Sequence, residues 1–320
     1  MSIAFIHAGR WTDKLYHAFK AEAEQNNFER LEELHLVTSC LKAYMTLAAA
    51  EGMERCRRAC GGHGYLQASG VSLHLVSFLP QVTYEGDFII LSLQAGRLLL
   101  KVVGQRMAGE TPRGALTSSV RHLYTCDLET VSKPQQPSTE ELLSPQWIVQ
   151  AFERRSSVMV YRAAERFAAL GGPSSPEAFE EIKVNLTQVA VSHAQLLVLR
   201  AAAARLEELQ QQGQVSVHRI LGCLFSCLAL SWLDEHLADF LTTQTIHLDA
   251  HNNIKETLAA ACKQARTTAV PVADAFGHSD NFLNSALGRY DGDVYRALFD
   301  STKIEELNEQ DVSDSYKLYL

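Results

Sequence analysis

Apolar residues recur at helical spacing along nearly the whole chain, and this periodicity constrains the fold more than any other feature. Intervals of three or four residues place side chains on one face of a helix. The clearest run begins near Phe28, and the pattern extends toward Arg58, where Gly61 and Gly62 are predicted to end the helix. Its apolar positions are Leu31, Leu34, Val37, Leu41 and Tyr44.

Further helices are predicted from the same periodicity. A second helix begins near Asp87, which is well placed to cap it. Short turns at residues 171–173 and 213 separate long helical patterns, which is typical of antiparallel neighbours in a bundle. These patterns cover residues 147–170, 175–212, 215–242 and 246–267.

Strand signals are scarce, so the sequence predicts an all-α fold. Residues 71–78 are the one segment that could alternate, and we interpret them as an irregular or extended connection. Pro112 and Gly114 open a polar, proline-punctuated stretch typical of a linker. We therefore expect two helical-bundle domains, residues 1–108 and 145–320, joined by a linker at 109–144.

Composition excludes several classes of protein. The chain has 320 residues, enough for a sizeable core, and a net charge of −8, which argues against binding nucleic acid or anionic membranes. The N-terminus lacks a secretory signal, and the longest nearly apolar run, residues 221–233, is shorter than the about 20 residues that span a bilayer. We expect no membrane insertion.

The seven cysteines form no disulfide framework, which suits a reducing compartment. Two pairs, Cys56 with Cys60 and Cys223 with Cys227, each share a helix face. A metal site would need two more ligands for each pair, and His63 is the one candidate near the first pair. We therefore predict buried, inert thiols and no metal site.

Glu85 is a candidate base. Its neighbours in the sequence are mostly apolar, and no lysine or arginine lies between Arg58 and Arg97. Removal from water without a nearby cation raises the pKa of a carboxyl group and makes it a competent base near neutral pH. The alternative is an acidic residue that merely caps the helix starting near Asp87.

The cluster Gly61-Gly62-His63-Gly64 is a candidate anion cradle. Three glycines in four residues fit the close approach of a ligand such as a pyrophosphate to the backbone. A helix C-cap with a tight turn is the alternative, and His63 alone is typical of a hydrogen-bonded loop histidine. One of the arginines at 55, 57 and 58 could pair with a phosphate, and a solvated helix face is the alternative. Residues 285–295 fit a structural corner.

Together these residues resemble the C-terminal half of the peroxisomal acyl-CoA oxidase family, and most closely its divergent, acyl-CoA oxidase-like branch. Residues 34–43 are similar to the family's helix ahead of its glycine motif. Cys60-Gly61-Gly62-His63-Gly64-Tyr65 is similar to the family's glycine signature, and Tyr84-Glu85-Gly86 matches its aromatic-Glu-Gly turn. Residues 147–153 and 285–295 resemble landmarks of the family's second helical domain.

The resemblance implies a chemistry. Family enzymes carry FAD and convert a fatty acyl-CoA and O2 to trans-2-enoyl-CoA and hydrogen peroxide. Glu85 falls on the catalytic glutamate that removes the α-proton. Gly61 and Gly62 fall on the loop that approaches FAD, often across a homodimer interface. Gly86 falls on the position that contacts the substrate thioester, and Asp87 falls on a position that contacts the cofactor. Peroxisomal localisation follows from the same resemblance.

Three departures from the family pattern bear on this hypothesis. The sequence has no counterpart of the N-terminal helical and β-sheet domains, which hold much of the flavin and substrate. Phe88 stands where the family usually has an asparagine. The chain ends in Tyr-Lys-Leu-Tyr-Leu, not in a Ser-Lys-Leu address. The alternative function is therefore a catalytically inactive, shortened form that acts as an α-helical dimerisation or interaction module.

Overall fold

The computed structural model describes residues 1–111, 119–126, 134–309 and 314–319, and these residues form helices without a named strand. Pro112 and Gly114, two residues of the predicted linker, lie outside the described ranges. The α-helices are α1 (Ser2–Ala23), α2 (Leu31–Ala59), α3 (Val71–Phe78), α4 (Phe88–Met107), α5 (Arg121–Thr125), α6 (Thr139–Leu143), α7 (Pro145–Ala169), α8 (Pro176–Gln211), α9 (Val215–Glu235), α10 (Leu237–Thr242), α11 (His251–Arg266), α12 (Ala269–Asp274), α13 (Asp280–Leu283) and α14 (Val294–Thr302).

The all-α prediction is confirmed, with short 3-10 helices between several of the α-helices. In the described ranges the one extended pairing is a parallel bridge between Gln135 and Ile246. The 3-10 helices are Gly61–Tyr65, Gln67–Ser69, Leu79–Val82, Gly172–Ser174, Leu248–Ala250, Glu306–Asn308 and Asp314–Tyr319.

The chain forms two compact units, and each is built from two separate stretches. Unit 1 contains residues 1–47 and 85–270, and unit 2 contains residues 48–84 and 271–320. These units do not coincide with the linear domains 1–108 and 145–320, because helical packing groups stretches that are distant in sequence. The division at residues 109–144 stays a prediction about sequence domains.

Helix α8 is the centre of unit 1. It packs against α1, α4, α7 and α9, and α11 covers the outer side of α9. Buried aliphatic side chains line α8 from Ile182 to Leu209, which explains why a 36-residue helix stays continuous. Ser144 caps α7, since its side chain accepts from the Trp147 backbone N–H, and Pro145 occupies the first helical position.

Helices α4 and α8 cross closely at Gly96. A Cβ atom added at Gly96 would lie 2.8 Å from the Leu186 Cβ and 2.9 Å from its carbonyl oxygen. The absence of a side chain therefore allows the two backbones to approach. The crossing determines where the N-terminus of α4, and the turn before it, lies in unit 1.

A buried polar cluster lies beside this core. The rings of His122 and His193 stack with centroids 5.3 Å apart, and His122 Nε2 lies 3.3 Å from the Ser156 hydroxyl. Burial lowers the pKa of His193 to about 3 and holds the pKa of His122 well below its ordinary value. Both imidazoles are therefore neutral in the folded protein at neutral pH.

Unit 2 has a small core. Among its described residues four are buried: Ala50, Gly64, Ser69 and Gly70. Backbone and side-chain hydrogen bonds hold it together, including Ala286 N–H to the Ala68 carbonyl at 2.8 Å. Many of its large apolar side chains are exposed, including Tyr65, Leu73, Val76, Phe282, Tyr290, Tyr295, Phe299 and Ile304.

Two local predictions are wrong. Residues 71–78 form helix α3 instead of an extended connection, because a short apolar run fits either structure and Gly70, with φ +72°, turns the chain into the helix. The predicted helix 215–242 is interrupted at His236, which has non-helical backbone angles and whose Nε2 lies 3.0 Å from Gln195 Nε2.

By length and composition alone, helices α4, α8 and α9 are each apolar enough to cross a membrane. The run 221–233 is only part of a longer helix, since α9 continues through flanking residues to a length of 21, so the absence of membrane insertion stays a prediction. In α8, 67% of the apolar window is buried inside the protein.

The Gly96 crossing generates a stability prediction with a control on the same helix. Gly96→Ala would push the added methyl group against Leu186, so we expect a loss of about 1–3 kcal/mol in the free energy of unfolding. Gly104→Ala places its methyl group in open space and should raise stability by about 0.5–1 kcal/mol. Urea unfolding of the three proteins checks both values. Equal stabilities for the two variants would contradict the close crossing.

The histidine pair generates a pH prediction. The unfolded chain protonates His122 and His193 near pH 6.5, whereas the folded chain keeps them neutral, so the unfolded state binds more protons. The free energy of unfolding therefore falls as the pH drops from about 6.5 toward 3, by up to about 1.4 kcal/mol per pH unit for each histidine. His193→Leu should reduce this slope in urea unfolding between pH 7 and 4. An unaltered slope in His193→Leu would refute the assignment.

Candidate active site

Glu85 lies in a tight turn that leads into α4, and its backbone is in the left-handed region. Its φ is +57°, and the next residue, Gly86, has a φ of +104°. A left-handed conformation costs a residue with a side chain about 1–2 kcal/mol. Such strained residues cluster at functional sites, where the surrounding structure holds them.

Contacts on both sides hold the turn in place. The Lys42 ammonium group donates a hydrogen bond to the Gly86 carbonyl oxygen. Asp87 accepts hydrogen bonds from the Ile89 and Ile90 backbone N–H groups at 2.7 and 3.0 Å, which caps α4 as predicted. A Cβ atom at Gly86 would lie 2.8 Å from the Leu91 side chain, so both its φ and its packing favour glycine.

Lys42 is a site residue that the sequence analysis missed. No lysine or arginine lies near Glu85 in the sequence, between Arg58 and Arg97, whereas Lys42 reaches the turn from α2. The available signal is that Lys42 is the one charged residue between His35 and Glu51, in a stretch that is otherwise apolar or uncharged. An isolated lysine in such a stretch is a candidate for a specific partner.

The prediction that Glu85 is buried is wrong. Its side chain is exposed, and the apolar neighbours Ile89 and Ile90 are each 51% exposed. The Glu85 turn and the first turn of α4 thus present a carboxylate and apolar side chains together at the surface. Apolar neighbours in sequence do not bury a residue when the helix turns them outward.

The three glycines after α2 have three different roles. Gly61 has a φ of +62°, which fits the end of a helix. Gly64 is buried, and an added Cβ would lie 2.0 Å from the Arg57 carbonyl oxygen. Gly62 is exposed, lacks a positive φ, and has no atom within 4 Å of an added Cβ. Local folding therefore requires Gly61 and Gly64 but does not require Gly62.

The residues flanking the glycine cluster partly agree with the predictions. Arg57 pairs with Glu54 at 2.7 Å on the same helix, as expected of a solvated face. His63 Nδ1 is buried without a hydrogen-bond partner among the described residues, and its ring meets Tyr295 edge-on at 6.0 Å. The corner at 285–295 is structural, since Arg289 pairs with Asp291 and Ser285 accepts from Gly288 N–H at 2.9 Å.

The cysteines are less buried than predicted. Cys40 is buried, whereas Cys56, Cys60 and Cys262 are exposed. The spacing of four residues gives a shared helix face but does not determine which face turns inward. Within the described ranges, no group of three histidine, cysteine or acidic side chains is arranged to hold a metal ion.

Two protein-family models match most of the chain. The family described as acyl-CoA oxidase matches residues 144–320, and the acyl-CoA oxidase C-alpha1 domain matches residues 1–100. The chain belongs to the acyl-CoA oxidase family. The resemblance inferred from the glycine signature and the Glu-Gly turn is thereby confirmed.

Relatives and solved structures of the oxidase family agree with this assignment. Peroxisomal acyl-coenzyme A oxidase 1 from Arabidopsis thaliana is 36% identical over 99% of this chain, and the human protein of that name is 31% identical over 98%. The chain covers 46% and 47% of these relatives, so it spans about half the length of the curated relatives it matches.

Two solved acyl-CoA oxidases have the same fold over 99% of this chain. The Arabidopsis thaliana acyl-CoA oxidase 1 structure has a TM-score of 0.90 at 34% identity, with 47% of that chain covered. Acyl-CoA oxidase-1 of Caenorhabditis elegans, solved in complex with FAD and ATP, has a TM-score of 0.89 at 28% identity, with 47% of its chain covered.

The separate roles of Gly62 and Gly64 generate a prediction for this oxidase-family chain. Gly64→Ala forces a methyl group against the Arg57 carbonyl, so we expect a loss of about 1–3 kcal/mol or more in unfolding free energy. Gly62→Ala should change stability by less than about 0.5 kcal/mol. Thermal and urea unfolding of both variants provide the measurement. A Gly62→Ala protein as destabilised as Gly64→Ala would contradict the assignment of roles.

Proposed function

We propose that this chain acts in an FAD-dependent acyl-CoA oxidase of peroxisomal fatty-acid β-oxidation, with Glu85 as the base that removes the substrate α-proton. The observation that carries the proposal is the exposed Glu85, held in a left-handed turn by Lys42 and the α4 cap in a chain of the oxidase family. A backbone held in a strained conformation is typical of functional sites, and a carboxylate positioned against a substrate carbon can accept its proton.

The glycine loop supports a place for FAD. Gly62 is a glycine that local folding does not require, and its exposed backbone leaves space for a bulky group to approach. A related oxidase was solved in complex with FAD. We propose Gly61 and Gly62 as cofactor-contacting positions, together with Asp87, whose carboxylate also caps α4.

The proposed chemistry divides between this chain and the cofactor. Glu85 accepts the α-proton of a fatty acyl-CoA on its carboxylate, and the Gly86 backbone lies beside it to contact the thioester. Bound FAD would supply the acceptor for the β-hydride and its transfer to O2, and the proton released from the Glu85 carboxyl would complete hydrogen peroxide beside trans-2-enoyl-CoA. The exposed Ile89 and Ile90 provide apolar surface next to the base.

Assembly and location are proposed from the same family. The exposed aromatic residues of unit 2, such as Tyr290 and Phe299, favour a homodimer, since large exposed apolar side chains mark interaction surfaces. The relatives are named as peroxisomal enzymes, so we propose a peroxisomal location. The net charge of −8 argues against nucleic-acid binding. We propose that the protein acts without membrane insertion, since 67% of the apolar window of α8 is buried inside the protein.

A second candidate function is a catalytically inactive, α-helical dimerisation or interaction module. The exposed apolar residues of unit 2 favour it, because they provide an interaction surface whether or not flavin binds. Light scattering and absorbance near 450 nm on the purified chain distinguish the candidates. A colourless dimer that takes up no added FAD favours the module, and a yellow protein favours the oxidase.

The oxidase proposal is tested with purified chain, FAD, a long-chain acyl-CoA and a peroxidase-coupled assay. Glu85→Gln should retain flavin absorbance and lower peroxide production by about 10²–10⁴-fold, because the base is lost while the fold remains. Gly62→Ala should weaken FAD binding without lowering stability. Glu51→Gln, an exposed substitution on α2, is the matched control and should leave activity unchanged. Peroxide production unaffected by Glu85→Gln would exclude Glu85 as the base.

A further inference from the structure

The turn that carries Glu85 has an anchor outside its own segment. Lys42 lies 44 positions away in sequence, on α2, and its ammonium group donates to the Gly86 carbonyl oxygen. The Lys42 side chain is half-buried, so its stem packs along the protein while the head reaches the turn. We propose that Lys42 is a positioning residue that selects the backbone conformation in which Glu85 is held for proton removal.

The turn needs such an anchor because its own residues do not determine its conformation. Gly86 has wide backbone freedom, so the peptide group between Gly86 and Asp87 can rotate at little steric cost. Glu85 at φ +57° is in a region that residues with side chains rarely adopt. That rotation changes Gly86 ψ and Asp87 φ, so without an external contact the turn can open, and Glu85 can then relax to a negative φ that moves its carboxylate.

The elements that supply the anchor are themselves firmly packed. On α2, the Cys40 thiol lies 3.3 Å from the Ala190 carbonyl oxygen of α8, two residues before Lys42. On the other side of the turn, α4 is held against α8 at Gly96. The turn therefore lies between two helices that share one central support, and the Lys42 bond connects it to the first.

The inference rests on the proposed role of Glu85, but it has a readout that requires neither FAD nor substrate. Hydrogen–deuterium exchange reports opening of the bonds from the Ile89, Ile90 and Leu91 amides to Asp87. Lys42→Met removes the ammonium group and keeps the apolar stem. We expect exchange over residues 86–91 to become about tenfold faster, which corresponds to about 1.4 kcal/mol.

Two further variants make the exchange result specific. Lys101→Met removes an exposed lysine of α4 that pairs with Glu32, and exchange over residues 86–91 should stay at the wild-type rate. Lys42→Arg keeps a cationic donor and should retain most of the protection. Unchanged exchange over residues 86–91 in a folded Lys42→Met protein would overturn the proposal.

A second measurement covers the case in which Lys42→Met does not fold. A crystal structure of the wild-type chain should show Lys42 Nζ within hydrogen-bond distance of the Gly86 oxygen and Glu85 at positive φ. A lysine head group directed elsewhere would overturn the proposal without any variant.

The kinetic readout links positioning to catalysis if the chain shows oxidase activity. Misplacing a reacting group by about 1 Å can cost about 10²-fold in rate. We expect Lys42→Met to lower kcat by about 10–100-fold with KM changed less than about twofold, and Lys42→Arg to restore part of kcat. An unchanged kcat overturns the positioning role, whereas loss of activity in the wild-type chain bears only on the proposed function.

Discussion

The close crossing of α4 and α8 at Gly96 is the constraint on which the candidate site depends. Helix α8 is the buried centre of unit 1, and both α2 and α4 rest on it. Because α4 approaches α8 with no side chain between the backbones, the position of its first turn is determined by packing deep in the core. The Glu85 turn is attached to that first turn through the Asp87 cap.

In the Glu85 turn, an unfavourable backbone conformation is accompanied by a stabilising hydrogen bond from Lys42. A left-handed Glu85 costs about 1–2 kcal/mol, and a hydrogen bond from a charged donor such as Lys42 contributes about 1.5–3 kcal/mol. The two values are similar, so the Lys42 hydrogen bond can offset the backbone strain at Glu85. The Glu85 side chain is exposed on this fixed backbone, and a base must be held in place to act on a bound substrate.

The sequence predicted the bounds of the long helices more reliably than the burial of individual side chains. Long periodic segments such as α7 and α8 were predicted within one or two residues at each end, because periodicity and caps are local properties. The short segment 71–78 and the break at His236 were missed, since tertiary contacts decide both. Burial was misjudged for Glu85, Cys56 and Cys60, because a pattern of neighbours does not reveal which face of a helix turns inward.

By itself, the sequence determined the family, the all-α class, the Asp87 cap and the position of the Glu85 turn, since motifs and periodicity depend on residues close together in the chain. Only the tertiary structure decided that Glu85 is exposed and left-handed, and that Gly62 is the glycine local folding does not require. It also revealed Lys42 as the partner of Gly86. Those properties arise from contacts between distant residues, which no local pattern encodes.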